Sequence, residues 1–238
     1  MRVSIIVLAF NEVESLKKTI AELQQLLLPE RTQIILATSK SATSECLKVC
    51  QELEMEFANV IVNFQREPFV AAAVLESLAL VKNDRVIYMS SDLETPPSVV
   101  PLMLAECEYF DWDIVVASRW VTGGSFEGYG RAKYLVSWSA QQICRVIYTT
   151  RLTEFTYGFR LYKTNLLREL YFREKKHPFF LESYIIPLRL GAKITEVPVN
   201  WKPRLEGKSV VNLVTLIQYL RPLIRVRFMQ KRTLRKSL

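Results

Sequence analysis

The sequence is poor in histidine and glycine. Of its 238 residues, one is histidine, seven are glycine and ten are proline. We expect the lone histidine, His177, to lie in a loop, so the Ser/His/Asp chemistry of many hydrolases is not favoured. No stretch rich in serine, glycine and proline resembles a linker, which favours one large α/β domain over two small ones.

Cysteine is also scarce, with four residues in the whole chain. Four scattered thiols are too few for the disulfide framework of a small secreted protein. Cys46 and Cys50 have the spacing of one helical turn rather than that of a zinc-binding knuckle. These observations favour a reducing compartment, and we expect the protein to be cytoplasmic.

The chain has no run of about 18 apolar residues, the length that crosses a bilayer. The nearest candidate, residues 210–228, is interrupted by Pro222 and by polar and charged side chains. The apolar start at residues 3–9 is followed directly by Asn11 and Glu12, without the small-residue cleavage site of a signal peptide. We therefore expect a buried strand at the start and no spanning segment.

Acidic residues are absent after Glu206, although the chain has 24 of them and a net charge of +8. Eight basic residues follow that point, so the first 206 positions are formally neutral. Apolar residues recur at helical spacing in the same region: Leu213, Leu216, Ile217, Leu220, Leu223 and Ile224. Such a basic amphipathic segment, residues 209–238, is typical of contact with an anionic membrane, although it could instead pack on the body. No nucleic-acid-binding module is present, and we expect no nucleic-acid partner.

Short apolar runs alternate with stretches of helical period, which predicts a mainly parallel sheet covered by helices on both faces. The expected strands are residues 3–9, 33–37, 60–63, 85–89, 113–118, 158–163 and 194–199. The later helices are expected at residues 95–110, 131–150, 164–174, 181–190 and from 209 onward, the last with a kink or restart at Pro222.

Oxygen ligands follow the fourth expected strand. Ser90, Asp92 and Glu94 alternate along an extended segment, which suits a hard cation such as Mg²⁺ or Mn²⁺ bound together with phosphate oxygens. Ligands of open α/β sheets bind beyond the carboxyl ends of the strands, where this segment lies. A purely structural alternative is that Asp92 or Glu94 caps the next helix.

Basic residues in other strand-end loops suit a diphosphate leaving group, whose negative charge grows in the transition state. They are Arg119, Arg131, Arg160, Arg204 and Lys208. Each alone is more typical of a solvated surface charge, and it is their convergence with an acidic metal site that favours a diphosphate. Glu154 and Glu182 are candidate general bases, and both could also be structural.

Five segments resemble a known family in its own order: residues 4–12, 90–97, 117–131, 154–160 and 196–209. They resemble the inverting glycosyltransferases of family 2, with the GT-A nucleotide-diphospho-sugar transferase fold, and most of all the dolichol or polyprenyl phosphate mannosyltransferase branch. The resemblance implies that a donor nucleotide lies beside Ala9, Phe10, Asn11, Glu12 and Ser91. It also implies catalytic or phosphate-binding roles for Asp92, Arg119, Arg131, Arg204 and Lys208.

The sequence departs from the family pattern in three places. Residues 37–40 (ATSK) stand where the family has Asp-Asp-Gly-Ser, of which an Asp contacts the nucleobase, so Thr38 and Ser39 are the donor-binding candidates here and the base taken by this chain is left open. The Gly-Lys-Gly turn of the family appears as residues 67–70 (EPFV). Ser90 replaces the first Asp of the metal motif, while Glu94 replaces a Gln and restores the number of carboxylates, which indicates a shifted metal site.

The resemblance implies transfer of a sugar from a nucleotide-diphosphate donor, with inversion and with a divalent cation. A phosphate acceptor such as polyprenyl phosphate is already anionic and needs no base, whereas a sugar hydroxyl would need one, with Glu182 the leading candidate. The alternatives are a polysaccharide-extending transferase and a non-catalytic nucleotide-binding member. We expect a GT-A domain at residues 1–208, a C-terminal basic segment, and a peripheral position on the cytoplasmic face of a membrane.

Overall fold

The computed structural model describes residues 1–206 and 213–236, and it is organised around one central sheet. Nine strands are present among these residues: β1 (Val3–Leu8), β2 (Thr32–Ser39), β3 (Val60–Gln65), β4 (Arg85–Ser90), β5 (Ile114–Ser118), β6 (Ser125–Phe126), β7 (Arg160–Lys163), β8 (Ile194–Pro198) and β9 (Asn200–Trp201). All seven strands expected from the sequence occur. The two-residue strands β6 and β9 were not expected, because segments this short have no recognisable alternation.

Seven strands form the sheet in the order β3-β2-β1-β4-β7-β5-β8. Only β7 runs against its neighbours, β4 and β5, while the other pairs in the sheet are parallel. Strands β6 and β9 pair with each other in a separate small ribbon. The mainly parallel sheet is therefore confirmed, and the carboxyl ends of β1, β2, β4 and β5 open onto one edge.

Eight α-helices lie within the described residues: α1 (Glu14–Leu26), α2 (Ser44–Glu56), α3 (Val70–Leu78), α4 (Val99–Tyr109), α5 (Arg131–Tyr148), α6 (Thr164–Glu169), α7 (Pro178–Leu190) and α8 (Leu213–Phe228). They cover both faces of the sheet, because successive strand residues point to opposite faces. In β1, Ile5 and Val7 pack in the layer that contains Leu16 of α1, whereas Ile6 packs in the layer that contains Val74 of α3.

Several helices differ from the sequence expectation; α6, for example, ends at Glu169 rather than near residue 174. Helix α4 begins at Val99 rather than near residue 95, since the preceding residues form the loop that carries Asp92. Helix α7 begins earlier than expected, at Pro178, where the missing proline N–H is not needed. Of the kink or restart expected at Pro222, the restart does not occur: α8 continues from Leu213 to Phe228, and Leu223 and Val226 after the proline are buried against the body.

Two further points concern this C-terminal part. The expected start of the last helix at residue 209 lies outside the described residues, as do the side chains of Leu213 and Leu216. Within the described residues, no helix combines the length and the apolar character needed to cross a lipid bilayer.

Candidate active site

The loop after β4 carries the side chains that were predicted from the sequence to be metal ligands. Ser91 fastens the start of this loop to β1, since its amide and its hydroxyl both donate to the Leu8 carbonyl, at 3.1 and 2.8 Å. The Ser90 hydroxyl accepts a hydrogen bond from the Asp92 amide at 3.4 Å, and Asp92 Oδ1 accepts one from the Glu94 amide at 3.1 Å. The structure therefore brings Ser90, Asp92 and Glu94 together in one turn.

This turn concentrates negative charge in a strained backbone. Leu93, between the two carboxylates, has a φ of 58°, a left-handed conformation that is uncommon for leucine. Asp92 is only 6% exposed. Burial, followed by the charge of Glu94, raises the pKa of Asp92 to about 6. Backbone strain and a carboxylate with a raised pKa are both typical of functional sites.

Arg204 lies against both carboxylates. Its Nε and Nη2 atoms donate to Glu94 Oε1 at 3.0 and 2.8 Å, and Nη2 is 3.3 Å from Asp92 Oδ2. The Trp201 indole donates to the other oxygen of Glu94 at 3.2 Å. The phosphate-binding candidate and the metal-binding candidates of the sequence thus form one cluster.

The residues from Trp201 to Glu206, which we term the 201–206 segment, are also bound to this turn through the backbone. The Lys202 amide donates to the Glu94 carbonyl at 3.0 Å, and the Leu205 amide donates to the Asp92 carbonyl at 3.3 Å. Sequence reasoning identified Arg204 in this segment but not the two residues that complete its attachment, Trp201 and Glu206.

Glu206 ends the segment at the first turn of α1. Its carboxylate accepts hydrogen bonds from the amides of Val13, Glu14 and Ser15 at 3.0, 3.2 and 3.1 Å, and from the Ser15 hydroxyl at 2.9 Å. The residue at the N-cap position of α1 is Val13, which has no side chain able to cap. The first amides of α1 therefore lack a local side-chain acceptor, which is a sequence signal consistent with a distant one.

The residues present suit a divalent cation. Two carboxylates and a hydroxyl are the hard oxygen ligands that Mg²⁺ and Mn²⁺ take, and a cation would relieve the crowding of Asp92 against Glu94. No group of three histidine, cysteine, aspartate or glutamate side chains able to hold a metal occurs in residues 1–206 and 213–236. Both oxygens of Glu94 accept hydrogen bonds, from Arg204 and Trp201, so a cation held by Ser90, Asp92 and Glu94 together with phosphate oxygens would compete with Arg204 for the carboxylates.

Arg119 is not an open phosphate ligand but half of a buried ion pair. Its Nε and Nη2 atoms donate to the two carboxylate oxygens of Glu154 at 2.8 and 3.0 Å. The guanidinium also stacks 4.3 Å from the ring centre of Tyr157, whose hydroxyl is bonded to Thr95 in the loop after Asp92. Arg119 therefore contacts the loop after Asp92 indirectly, through Tyr157 and Thr95, and helps to hold that loop in position.

Glu182, the candidate base for a hydroxyl acceptor, is also fully engaged. It is buried in α7, where its carboxylate accepts hydrogen bonds from the amides of Arg173 and Glu174 at 2.8 and 2.7 Å and from Arg225 of α8 at 2.6 Å. Burial raises its pKa. In the structure Glu182 joins α7 to α8 rather than meeting Asp92 or Glu94.

The expected donor residues lie at the ends of β1 and β2. The Glu12 carboxylate closes the loop after β1 by accepting hydrogen bonds from the amides of Phe10 and Asn11 at 2.8 and 3.0 Å. The Ala9 amide donates to the Ala37 carbonyl of β2 at 3.0 Å, which joins the two strand ends. These residues share the edge of the sheet on which Asp92 lies.

The remaining candidate site residues differ in their hydrogen bonding and in their exposure to solvent. The buried Thr38 hydroxyl, at the end of β2, has no hydrogen-bond partner. The Ser39 hydroxyl bonds to that of Ser41 at 2.9 Å. Arg131 is the exposed first residue of α5. Lys208 lies outside the described residues.

A family model described as "Glycosyl transferase family 2" matches residues 4–171, which is most of this chain. The chain belongs to this family. It is 24% identical to the dolichol-phosphate mannosyltransferase of Pyrococcus furiosus over 95% of this chain and 64% of that protein. It is also 24% identical to the undecaprenyl-phosphate mannosyltransferase of Micrococcus luteus, over 88% of this chain and 87% of that protein.

A solved structure with a similar fold is the glucosyl-3-phosphoglycerate synthase of Mycobacterium tuberculosis, in complex with Mn²⁺, UDP and phosphoglyceric acid. The two align with a TM-score of 0.75 at 18% identity, over 96% of this chain and 79% of the other. This likeness confirms the GT-A fold. This family 2 glycosyltransferase therefore has its carboxylates and Arg204 at the sheet edge where α/β proteins bind their ligands.

Proposed function

We propose that this chain is a metal-dependent inverting glycosyltransferase that moves a sugar from a nucleotide-diphosphate donor to polyprenyl phosphate or a related lipid-linked acceptor. The observation that carries the proposal is the cluster of Asp92, Glu94 and Arg204 at the carboxyl edge of the sheet. It combines anionic ligands for a cation with a guanidinium that matches phosphate geometry. The relatives named as polyprenyl-phosphate mannosyltransferases support this choice of acceptor.

The reaction exchanges one bond at the anomeric carbon for another. An acceptor phosphate oxygen forms a bond to that carbon while the bond to the diphosphate oxygen breaks, and the nucleoside diphosphate leaves with the electron pair. A divalent cation, when bound, neutralises charge on the diphosphate. Arg204 adds a second positive charge where the leaving group develops negative charge, and the buried carboxylate of Asp92 lies beside it.

The state of the two candidate bases favours a phosphate acceptor over a sugar hydroxyl. Glu154 is bonded to Arg119, and Glu182 is bonded to Arg225, so neither carboxylate is placed to take a proton from substrate. An acceptor phosphate is anionic at neutral pH and attacks without losing a proton. The site then needs positioning and charge neutralisation more than a base.

A lipid acceptor also suits the surface of α5 and α8. These helices expose large apolar side chains: Leu135, Val136, Trp138, Ile143 and Val146 on α5, and Ile217, Leu220, Ile224 and Phe228 on α8. Neither helix contains an acidic residue, and both carry arginines. Exposed apolar side chains among cations suit an anionic membrane surface, so the proposal includes peripheral contact through both helices on the cytoplasmic face.

The test is transfer of radiolabel from GDP-, UDP- and CDP-sugars to a short polyprenyl phosphate with Mn²⁺, measured in the organic phase. We expect transfer from one donor, abolished by EDTA and lowered about 100-fold or more in Asp92→Asn. The matched control is Asp111→Asn, whose exposed carboxylate pairs with Lys163 and should leave transfer unchanged.

Two outcomes would contradict the proposal. Transfer to an oligosaccharide hydroxyl but not to polyprenyl phosphate would support a polysaccharide-extending enzyme. Metal-dependent nucleotide binding without transfer to either acceptor would support the non-catalytic alternative.

A further inference from the structure

Glu206 joins two parts of the chain that lie far apart in sequence. Its carboxylate serves three backbone amides at the start of α1, some 190 residues earlier. Partial burial opposes its ionisation, but the hydrogen bonds from Ser15 and its neighbours outweigh this and lower the pKa of Glu206. An ionised carboxylate at a helix N-terminus also interacts favourably with the helix dipole. The end of the 201–206 segment is therefore fixed to a rigid element of the fold.

The position of Arg204 depends on the same segment. Two residues of extended chain span about 7 Å at most, so a fixed Glu206 limits how far Arg204 can move. Between them, the Leu205 amide is bonded to the Asp92 carbonyl at 3.3 Å. On the other side of Arg204, the Lys202 amide and the Trp201 indole are bonded to Glu94.

We propose that Glu206 is a positioning residue, which holds Arg204 against Asp92 and Glu94 by fixing the 201–206 segment to α1. This inference rests on the proposed function, because it assigns Arg204 to the diphosphate and the carboxylates to a cation. It goes beyond that function because it assigns control of the position of Arg204 to a residue outside the cluster of Asp92, Glu94 and Arg204. It also predicts that Arg204 and a divalent cation compete for the carboxylates of Asp92 and Glu94. Both are positively charged, and two positive charges bound to the same carboxylates repel each other.

A helix cap that served α1 alone would explain the hydrogen bonds of Glu206 but not the link to Arg204. Helix α2 provides the comparison, because it also has 13 residues and is capped by its own Thr43, which accepts a hydrogen bond from the Cys46 amide at 3.4 Å. Loss of either cap should weaken the helix concerned. Only loss of Glu206 should increase the mobility of the 201–206 segment and weaken the contact of Arg204 with Asp92 and Glu94.

The first measurement is amide hydrogen exchange in the full chain, comparing wild type, Glu206→Ala, Glu206→Gln and Thr43→Ala. We expect the amides of Lys202 and Leu205 to exchange about tenfold faster in Glu206→Ala, because local opening becomes easier. Glu206→Gln keeps an uncharged hydrogen-bond acceptor, so its exchange rates at Lys202 and Leu205 should lie between those of wild type and Glu206→Ala. Thr43→Ala should speed exchange at the start of α2 and leave the 201–206 segment unchanged.

The second measurement is the binding of Mn²⁺ alone, followed by electron paramagnetic resonance of the free ion. Glu206→Ala should bind Mn²⁺ about threefold to tenfold more tightly than wild type or Thr43→Ala, as Arg204 no longer competes. Arg204→Gln should give a similar gain, and the double variant should add little, because both changes act on one interaction.

Unchanged exchange at Lys202 and Leu205 in Glu206→Ala would overturn the proposal. So would faster exchange with unchanged Mn²⁺ affinity, since Arg204 would then keep its place without Glu206. Neither measurement uses sugar transfer, so a chain that lacks transferase activity can still confirm or contradict this role.

Discussion

Arg119 and Glu154 form a bidentate ion pair that is almost wholly removed from water, with side chains 7% and 0% exposed. The two residues are 35 positions apart and join the loop after β5 to the segment that precedes β7. Each charge is stabilised by the other, so removal of one leaves a buried charge without its partner.

We therefore expect Glu154→Gln to lower the free energy of unfolding by about 3 to 5 kcal/mol, the cost typical of breaking a buried pair. Urea denaturation measures this loss. The control is Glu52→Gln, which removes an exposed pair with Lys48 on α2 and should cost about 0.5 kcal/mol or less. Equal midpoints for the two variants would show that the buried pair contributes no more than a surface pair.

Two glycines in the loop between β5 and α5 should respond differently to alanine. A Cβ atom at Gly124 would lie 2.7 Å from the backbone carbonyl of Arg119, whereas one at Gly130 would have nothing within 4 Å. We expect Gly124→Ala to cost about 1 to 3 kcal/mol of stability, because the backbone must shift. Gly130→Ala should cost less than about 1 kcal/mol. Thermal denaturation of the pair tests this, and equal losses would contradict it.

His177 should make the protein less stable in mild acid. Burial, and then the positive charge of Arg204, lower its pKa below the usual 6.5. As the pH falls through 6.5, the unfolded chain binds a proton that the folded chain does not, so the free energy of unfolding decreases. Above that pH the imidazole is neutral in both states and makes no difference.

Urea denaturation at pH values of about 7.5 and about 5.5 tests this effect, and the decrease should be smaller in His177→Gln than in wild type. Since the chain has one histidine, a single imidazole resonance also reports the pKa directly by NMR. Arg204→Gln should raise its midpoint. A wild-type midpoint at or above 6.5 would contradict the prediction.

The apolar surface of α5 and α8 should be necessary for membrane binding. Leu135 and Phe228 are 61% and 83% exposed, so replacing each with glutamine should leave the thermal midpoint nearly unchanged. Binding to vesicles that contain phosphatidylglycerol should fall about threefold to tenfold for each, because less apolar area enters the interface. Met55→Gln is the control, as Met55 is 80% exposed on α2. Equal binding by all three variants would exclude this surface.

The fold could be predicted because it follows from local patterns. The apolar run of β1 indicated a strand buried on both faces, and its residues do divide between the two core layers. The turn from Ser90 to Glu94 could likewise be located, since the ligand positions lie within five residues of one another.

The contacts of the site could be predicted only in part, because they join distant residues. A basic residue in a loop does not reveal which carboxylate it meets, so Arg119 was expected to bind phosphate and is instead bonded to Glu154. Glu182 was a candidate base, yet its partners come from α8 and from the residues before α7. Glu206 follows a stretch without hydrophobic periodicity, so the sequence does not predict its contacts. The lack of a capping side chain at the start of α1 was the only indication that a distant residue bonds there.

The reversed strand β7 also has a consequence for the synthesis of the protein. It separates β4 from β5, so β4 has no neighbour on that side until residues 160–163 have left the ribosome. The first four strands can assemble as β3-β2-β1-β4 from the amino-terminal half of the nascent chain, with β4 still unpaired on the side where β7 later joins. Such an edge is open to wrong pairing. The last part of the core to close is therefore the part that carries the buried Glu154 and Arg160.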